Sequence, residues 1–388
     1  MRHITQLDLF SGIGGFHLGF EKAGYKVTSF FSEVDKHAIA VYKHQFKDST
    51  YVGSVTDVRG ADLPSIDLIT FGSPCQDFSL AGKRAGMEGQ RSSLILEAIR
   101  LIHECRPRVF VWENVKGTFS SNNGADFWAI IQAFANIGGY RLEWQLLNTS
   151  WVLPQNRERI YLVGYSTAPE RGWRGVFPVG EGSKLFNSKK RNEGQESTSV
   201  QNEDNIARAL NSRPAFGQGS EDTFIKSLYL GITDKRGNEK SMEKASTLCS
   251  VYHKAPSDGD YIKVKQNGVV VPNYSSKSLN ETIENNELIE GEPKALDLYN
   301  REARDESPTL TEPHHNSLRL FDGYRIRRLT PIECERLQGF PDDHTAFGNY
   351  DGEVKPMSNT QRYKQCGNAV TVDIVSLVAE QLKPIFDA

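Results

Sequence analysis

Short apolar runs alternate with helix-spaced segments over the first 165 residues and again at the end of the chain. Ile4-Thr5-Gln6-Leu7-Asp8-Leu9-Phe10 predicts a first strand, Ser11-Gly12-Ile13-Gly14-Gly15-Phe16 the turn after it, and residues 16–23 a helix closed by Gly24. Residues 25–31 predict a second strand ending in Ser32-Glu33, and residues 35–46 a helix. Ile66-Asp67-Leu68-Ile69-Thr70-Phe71 and Val109-Phe110-Val111-Trp112 are short and bounded like buried strands, with a helix predicted over 94–105 between them. Two further strands are predicted over 140–147 and 160–165. Buried strands alternating with helices predict an α/β fold built on an open, doubly wound, Rossmann-like sheet.

The alternation fails from residue 166 to about 325, a stretch rich in Gly, Ser, Asn and Lys, as expected of an inserted or second domain with short strands and long loops. A weak repeat runs through it. Ala209-Leu210, Thr247-Leu248 and Thr309-Leu310 are each followed by a polar loop and a strand-like end such as Tyr261-Ile262 or Tyr324-Arg325-Ile326, although chance resemblance competes with this reading. Residues 328–341 then give a helix with Pro331 near its start and Gly339 at its end. Gln365-Cys366-Gly367-Asn368-Ala369-Val370 leads into an amphipathic helix to about residue 382, so the chain is expected to return to its first domain. The expected division is residues 1–165 plus 365–388 for one domain and 166–364 for the other.

Composition narrows the class only a little. The chain has 388 residues, enough for two domains, and no apolar run near the roughly 18 residues that span a bilayer. Met1-Arg2-His3-Ile4 enters a strand-like segment at once, without the basic and apolar pattern of a secretory leader. The 5 cysteines are odd in number and lack Cys-x-x-Cys spacing, which argues for reduced thiols in a cytoplasmic setting and against a zinc site or any other metal. A net charge of −3 excludes a uniformly basic protein but leaves room for a local basic groove.

The chemistry gathers at predicted strand ends. Gly72-Ser73-Pro74-Cys75-Gln76-Asp77-Phe78-Ser79 puts a cysteine on a Pro-braced turn, where open α/β sheets carry their reactive groups. A thiolate suits attack on an electron-poor carbon; an inert buried cysteine is the alternative. Residues 81–93 hold three glycines among Lys83, Arg84 and Arg91, a basic loop suited to closing on a polyanion or a merely solvated one. Glu113-Asn114-Val115 places a carboxyl at the same sheet edge as Cys75, where a partly desolvated acid can move a proton. Arg157 and Arg159 share a face by alternation and can present paired guanidinium forks to one ligand, or form a surface salt-bridge ladder. The glycine turn lets backbone N–H groups approach a ligand, but His17 stands where the third glycine of the dinucleotide spacing belongs. Glu33, about 20 residues on, can accept from ribose hydroxyls or serve as an N-terminal charge for the 35–46 helix; together with the glycine turn it favours an adenosine-type cofactor other than a dinucleotide.

Six segments in order resemble the cytosine-5 DNA methyltransferases: residues 8–15, 72–79, Glu113-Asn114-Val115, Gln155-Asn156-Arg157-Glu158-Arg159, the 328–341 helix and Gly367-Asn368-Ala369-Val370. The resemblance implies that Cys75 adds to C6 of a cytosine flipped out of double-stranded DNA, that Glu113 meets N3, and that C5 takes a methyl group from S-adenosyl-L-methionine. Arg159, and with it Arg157, would orient the base or the cysteine loop. Cofactor contacts carry over to Phe10, Gly12, Ile13, Gly14, Glu33, Pro74, Leu94 and Asn368, and the middle region to target recognition. Where the family carries an acidic residue for the adenine amino group, Gly53 is followed by Ser54; Ser54 with Val55 on the adenine face, or Asp57 reaching back, could replace it. A monomer is expected, with no membrane association and a cytoplasmic location; a restriction endonuclease acting on the same site is one partner the resemblance implies, and an orphan or phage role without one is the alternative. A tRNA-methylating relative shares the nucleophile and the acid, whereas a zinc deaminase is excluded because Phe78 occupies the second cysteine position. An inert DNA-binding regulator would have no reason to retain both Cys75 and Glu113.

Overall fold

The computed structural model describes residues 2–73, 94–120, 124–166, 173, 175–179, 259–261, 263–264, 270–271, 276–286, 288–289, 291–310, 318–321 and 325–388. Pro74, Cys75, the basic loop, the first repeat unit and all of the second except residues 259–261 therefore lie outside the described residues.

In chain order the first unit contains β1 (Arg2–Leu9), α1 (Gly15–Lys22), β2 (Tyr25–Ser32), α2 (Lys36–Gln45), β3 (Thr50–Tyr51), β4 (Leu68–Gly72), α3 (Leu94–Cys105) and β5 (Val109–Val115). It continues with α4 (Gly117–Ser120), α5 (Ala125–Ala135), β6 (Arg141–Asn148), β7 (Gln155–Asn156) and β8 (Glu158–Tyr165). Seven of these strands form one sheet in the order β3-β2-β1-β4-β5-β8-β6. β1 pairs in parallel with both β2 and β4, and β4 with β5, while β8 runs antiparallel to β5 and β6. The strand order reverses between β1 and β4, the place where such sheets open a crevice at their carboxyl ends.

Burial on both faces explains the unbroken apolar runs of β4 and β5. One face is covered by α1 and the last helix, with Phe16 and Phe20 against Val375, Val378 and Leu382. Gly19 lets these helices approach, since a Cβ there would strike the Val375 side chain. The other face carries α3 and α5, packing Leu101, Ile102, Ile130 and Phe134 on Ile69, Phe71, Phe110 and Trp112.

The second unit contains β9 (Gly259–Tyr261), β10 (Lys263–Val264), β11 (Val270–Val271), α6 (Lys277–Asn285), β12 (Lys294–Asp297), β13 (Glu302–Arg304), β14 (Ser307–Pro308), β15 (Leu318–Phe321) and β16 (Arg325–Arg327). Its main sheet is antiparallel, β13-β12-β15-β16-β9, backed by Leu279 and Ile283 of α6. β14 pairs in parallel with β7, threading the second unit back beside the first.

The chain then forms α7 (Pro331–Leu337), β17 (Phe347–Tyr350), β18 (Glu353–Pro356), α8 (Asn359–Asn368) and α9 (Val372–Asp387). Thr330 and Glu333 cap α7 reciprocally, and Gly339 leaves it at φ 78°. Phe340 and Met357 pack with Ile13, Ala38 and Val41, so residues beyond 338 rest on the first sheet's own glycine turn and α2. At the other junction, Val176 and Val179 join the core around β1, and Glu143 accepts from the Val176 and Phe177 N–H groups. The first unit's packing thus extends beyond residue 165 and begins again well before residue 365.

Candidate active site

The turn after β1 is shaped by left-handed backbone at Phe10 (φ 51°), Gly12 (φ 54°) and Gly14 (φ 85°). Such angles are uncommon for a phenylalanine and need holding from outside. Gly12 N–H donates to Glu33 Oε2 at 2.9 Å, Ser11 N–H donates to the Ser32 carbonyl at 3.2 Å, and Gly14 N–H to the Ser11 carbonyl at 3.0 Å. The far side is closed by Phe46 and His344, which the sequence pattern did not single out, and by His17, which it marked only as breaking the dinucleotide spacing. Phe46 lies so close to Gly14 that a Cβ there would collide with it, and His17 stacks on Phe46 with ring centroids 3.9 Å apart. His344 Nε2 donates to the Ile13 carbonyl at 2.9 Å, and burial lowers this imidazole's pKa to about 4.

Glu33 is tied to backbone on both oxygens, since Oε1 also accepts from Val34 N–H at 2.7 Å and Asp35 N–H at 3.0 Å. Three of the roughly four acceptor positions of the carboxylate are used in this way. Val34 beside it is 76% exposed. Val55, expected on the face of an adenine, is instead buried in the core with Val58 and Ile95. The cause is the turn that begins at Ser54: Asp57 N–H donates to the Ser54 carbonyl at 2.8 Å, and the Val55 carbonyl accepts from Arg100 at 3.2 Å, which turns the valine inward. Ser54 Oγ pairs with Thr56 Oγ1 at 3.0 Å, and Asp57 is exposed. Leu94 opens α3, half-buried against the same core, and Asn368 ends α8 at the surface.

The second cluster stands at the ends of β4 and β5. Their register sets Gly72 opposite Glu113, and a Cβ on Gly72 would come within 3.2 Å of Glu113 Oε2. Glu113 is buried, and Arg159 on β8 places Nε 3.1 Å from its Oε1. Burial, with Glu113 nearby, pushes the Tyr161 phenol far above its ordinary value and keeps it neutral. Ser73, one residue past Gly72, accepts from Trp112 Nε1 at 3.0 Å and from Asn114 Nδ2 at 3.1 Å.

Arg157 and Arg159 do not converge on one ligand. Residue 157 falls between β7 and β8, outside the alternation that would have aligned the pair. Its buried guanidinium donates to the carbonyls of Leu310 at 3.1 Å, Gly367 at 3.4 Å and Ala369 at 2.8 Å. It ties the second unit to the segment that carries Asn368, whereas Arg159 serves Glu113.

A cavity of about 500 Å³ joins the two units. Val115, Gly117 and Arg159 line it from the first unit, and Asp297, Tyr299, Asn300, Arg304 and Leu310 from the second. The Asp297 carboxylate accepts from Tyr299 and Asn300 N–H groups at 3.0 and 3.1 Å, an Asx turn readable as Asp297-Leu298-Tyr299-Asn300 but not foreseen as part of a site. No helix among the described residues is long and apolar enough to cross a membrane.

These features agree with comparisons to known proteins. The chain is 28% identical to the orphan methyltransferase M.SPRI of Bacillus phage SPR, with 98% of each chain covered. It is 29% identical to the type II methyltransferase M.Bsp6I of Bacillus sp. strain RFL6, with 97% of each covered. Its fold is similar to the crystal structure of the S. pombe Dnmt2 methyltransferase, with a TM-score of 0.52 at 16% identity over 98% of this chain and 99% of that one. The model of the C-5 cytosine-specific DNA methylase family matches residues 4–384, nearly the whole length, and the chain belongs to that family as a DNA (cytosine-5-)-methyltransferase.

Proposed function

We propose that the protein methylates C5 of a cytosine flipped out of a specific double-stranded DNA sequence, through a covalent bond between Cys75 and C6 of the base. The observation that carries this reading is the Glu113–Arg159 pair, held at 3.1 Å beside β4, the strand that precedes Pro74 and Cys75 in sequence, and next to a 500 Å³ cavity shared with the second unit. Cytosine C5 is a weak nucleophile until a group adds at C6. The Cys75 thiolate forms the S–C6 bond, and the electrons of the C5–C6 double bond move toward N3, where Glu113 delivers a proton. Arg159 orients Glu113 and the base. After methylation the C5 proton leaves to a base, the N3 proton returns to Glu113, and elimination expels the Cys75 thiolate. Arg157 acts by joining the units.

The residues present fit S-adenosyl-L-methionine, which supplies the methyl group as an electrophile when bound. A Cβ at Gly12 or Gly53 would meet nothing within 4 Å, so the space beside both turns is open. The helix after Gly14 begins without a side-chain cap, and Ser11 Oγ is buried without a partner among the described residues. Phe10, Gly12, Ile13, Gly14, Glu33, Leu94 and Asn368, with Pro74, would hold the cofactor. Ser54 would meet its adenine and Val34 would cover the ring, the role first expected of Val55.

The packing supports a catalytic domain of residues 1–179 with about 330–388, and a target-recognition domain between them. We place the protein in the cytoplasm as a monomer, acting beside a restriction endonuclease of the same specificity. Bisulfite sequencing of DNA from a methylation-free host expressing the protein tests the reading. It should show 5-methylcytosine at one recurrent short sequence, and none with Cys75→Ser. Unmodified DNA, or methylation confined to host tRNA, would refute it.

A further inference from the structure

We propose that Ser73 is a positioning residue for methyl transfer: its hydroxyl fixes the chain that leaves β4 against the two residues flanking Glu113. The inference rests on the reading of Cys75 and Glu113 given above. Ser73 is 5% exposed, and Trp112 Nε1 donates to its Oγ at 3.0 Å. Asn114 Nδ2 donates to the same Oγ at 3.1 Å and to the Ser73 carbonyl at 3.2 Å. The Asn114 amide is itself oriented. Its Oδ1 accepts from Val115 N–H at 2.7 Å and from Thr118 Oγ1 at 3.2 Å, which turns Nδ2 toward Ser73.

Successive residues of a strand point to opposite faces. Trp112 and Asn114 therefore share one face of β5, and Glu113 stands on the other. One hydroxyl just past the end of β4 thus grips both neighbours of the catalytic acid. Packing alone does not ask for this, because an alanine or valine could close the strand end equally well. The hydroxyl adds a fixed offset between Glu113 and the chain two residues before Cys75. The reaction needs that offset, since addition at C6 and protonation at N3 occur on the same ring. A misplacement of about 1 Å between reacting groups costs on the order of a hundredfold in rate.

The experiment compares Ser73→Ala, Ser73→Val and Ser73→Thr in single-turnover methyl transfer at saturating DNA and S-adenosylmethionine, with dissociation constants for both measured separately. Ser73→Val and Ser73→Thr have nearly the same shape and differ in the hydroxyl. The expected result is a rate lower by roughly 10- to 100-fold for Ser73→Ala and Ser73→Val. Both dissociation constants should stay within about twofold, and Ser73→Thr should recover most of the rate, because its hydroxyl can accept the same two hydrogen bonds. Equal rates for Ser73→Thr and Ser73→Val would overturn the proposal, as would losses of rate matched by losses of binding, which mark a purely structural role. Cys75→Ser in the same assay separates the two readings. If that variant keeps its activity, the nucleophile is wrong. If it is dead while Ser73→Val is as fast as the parent, only the positioning role fails.

Discussion

Glu113 meets Arg159 because β5 and β8 pair with Val115 opposite Arg159, and the guanidinium reaches back to the carboxylate two residues earlier on β5. Glu113→Gln keeps the shape but cannot deliver a proton, so turnover should fall by about 10²- to 10⁴-fold while DNA binding changes little. Single-turnover rates with parallel binding isotherms check this, and an unchanged rate would reduce the carboxylate to a structural part. Asp8 is a second buried carboxyl, fully enclosed below the glycine turn, where Thr70 Oγ1 donates to it at 2.7 Å. Burial outweighs that hydrogen bond and raises its pKa from 3.8 to about 8. The folded state therefore holds a proton that the unfolded chain has released, and Asp8 removes stability as pH rises from about 4 through about 8. Urea unfolding at pH 6 and pH 9 should show the parent losing stability relative to Asp8→Asn by about a few kcal/mol; parallel curves would contradict it. Single positions were the least legible in sequence. Glu113 and Glu33 announced themselves as acids at strand ends. Arg157 did not, because its partners are backbone carbonyls from two distant segments, and Val55 was turned inward by a turn that no spacing rule specified.

At the scale of elements, the buried parallel strands and their capped helices follow the sequence closely: α3 spans Leu94–Cys105 as the pattern predicts, and Asp35 caps α2 through His37 and Ala38 N–H groups. Several elements escaped, α5 and the β17–β18 hairpin among them. α5 carries Phe127, Ile130, Ile131 and Phe134 at helical spacing, a signal that was present but overlooked between the Glu113 strand and the next. The β17–β18 hairpin turns on Asp351-Gly352, both at positive φ (52° and 102°), a dipeptide typical of tight hairpins. The glycine turn gives the sharpest test here. Gly14→Ala would force alanine into left-handed backbone and drive its methyl into Phe46, while Gly24→Ala meets the same backbone strain at φ 91° with nothing within 4 Å. Gly24→Ala should cost about 1 kcal/mol of stability and leave cofactor binding unchanged. Gly14→Ala should cost more and weaken S-adenosylmethionine binding at least tenfold in calorimetric titration. Equal behaviour of the two variants would separate the turn from the cofactor site.

At the scale of the molecule, the α/β architecture was legible because short apolar runs alternate with helix-spaced segments in the first unit, and a second unit was signalled where that alternation fails. The boundaries were not, since residues 176–179 and 338–357 lack strong periodicity and owe their place to contacts with β1, β6, Ile13 and α2. Because base edges carry sequence information while phosphate contacts position the duplex, exchanging residues 180–310 for those of a relative should move the methylated sequence. Persistence of the original site in an active chimera would place recognition elsewhere. The account's central claim is the covalent route through Cys75. A duplex carrying 5-fluorocytosine at the methylated position blocks loss of the C5 substituent, so the enzyme should remain attached after methylation. Incubation with S-adenosylmethionine should give a denaturation-resistant one-to-one adduct whose proteolytic fragment maps to Cys75, absent with Cys75→Ser. Methylation of ordinary DNA with no such adduct, or an adduct that survives Cys75→Ser, would contradict the account.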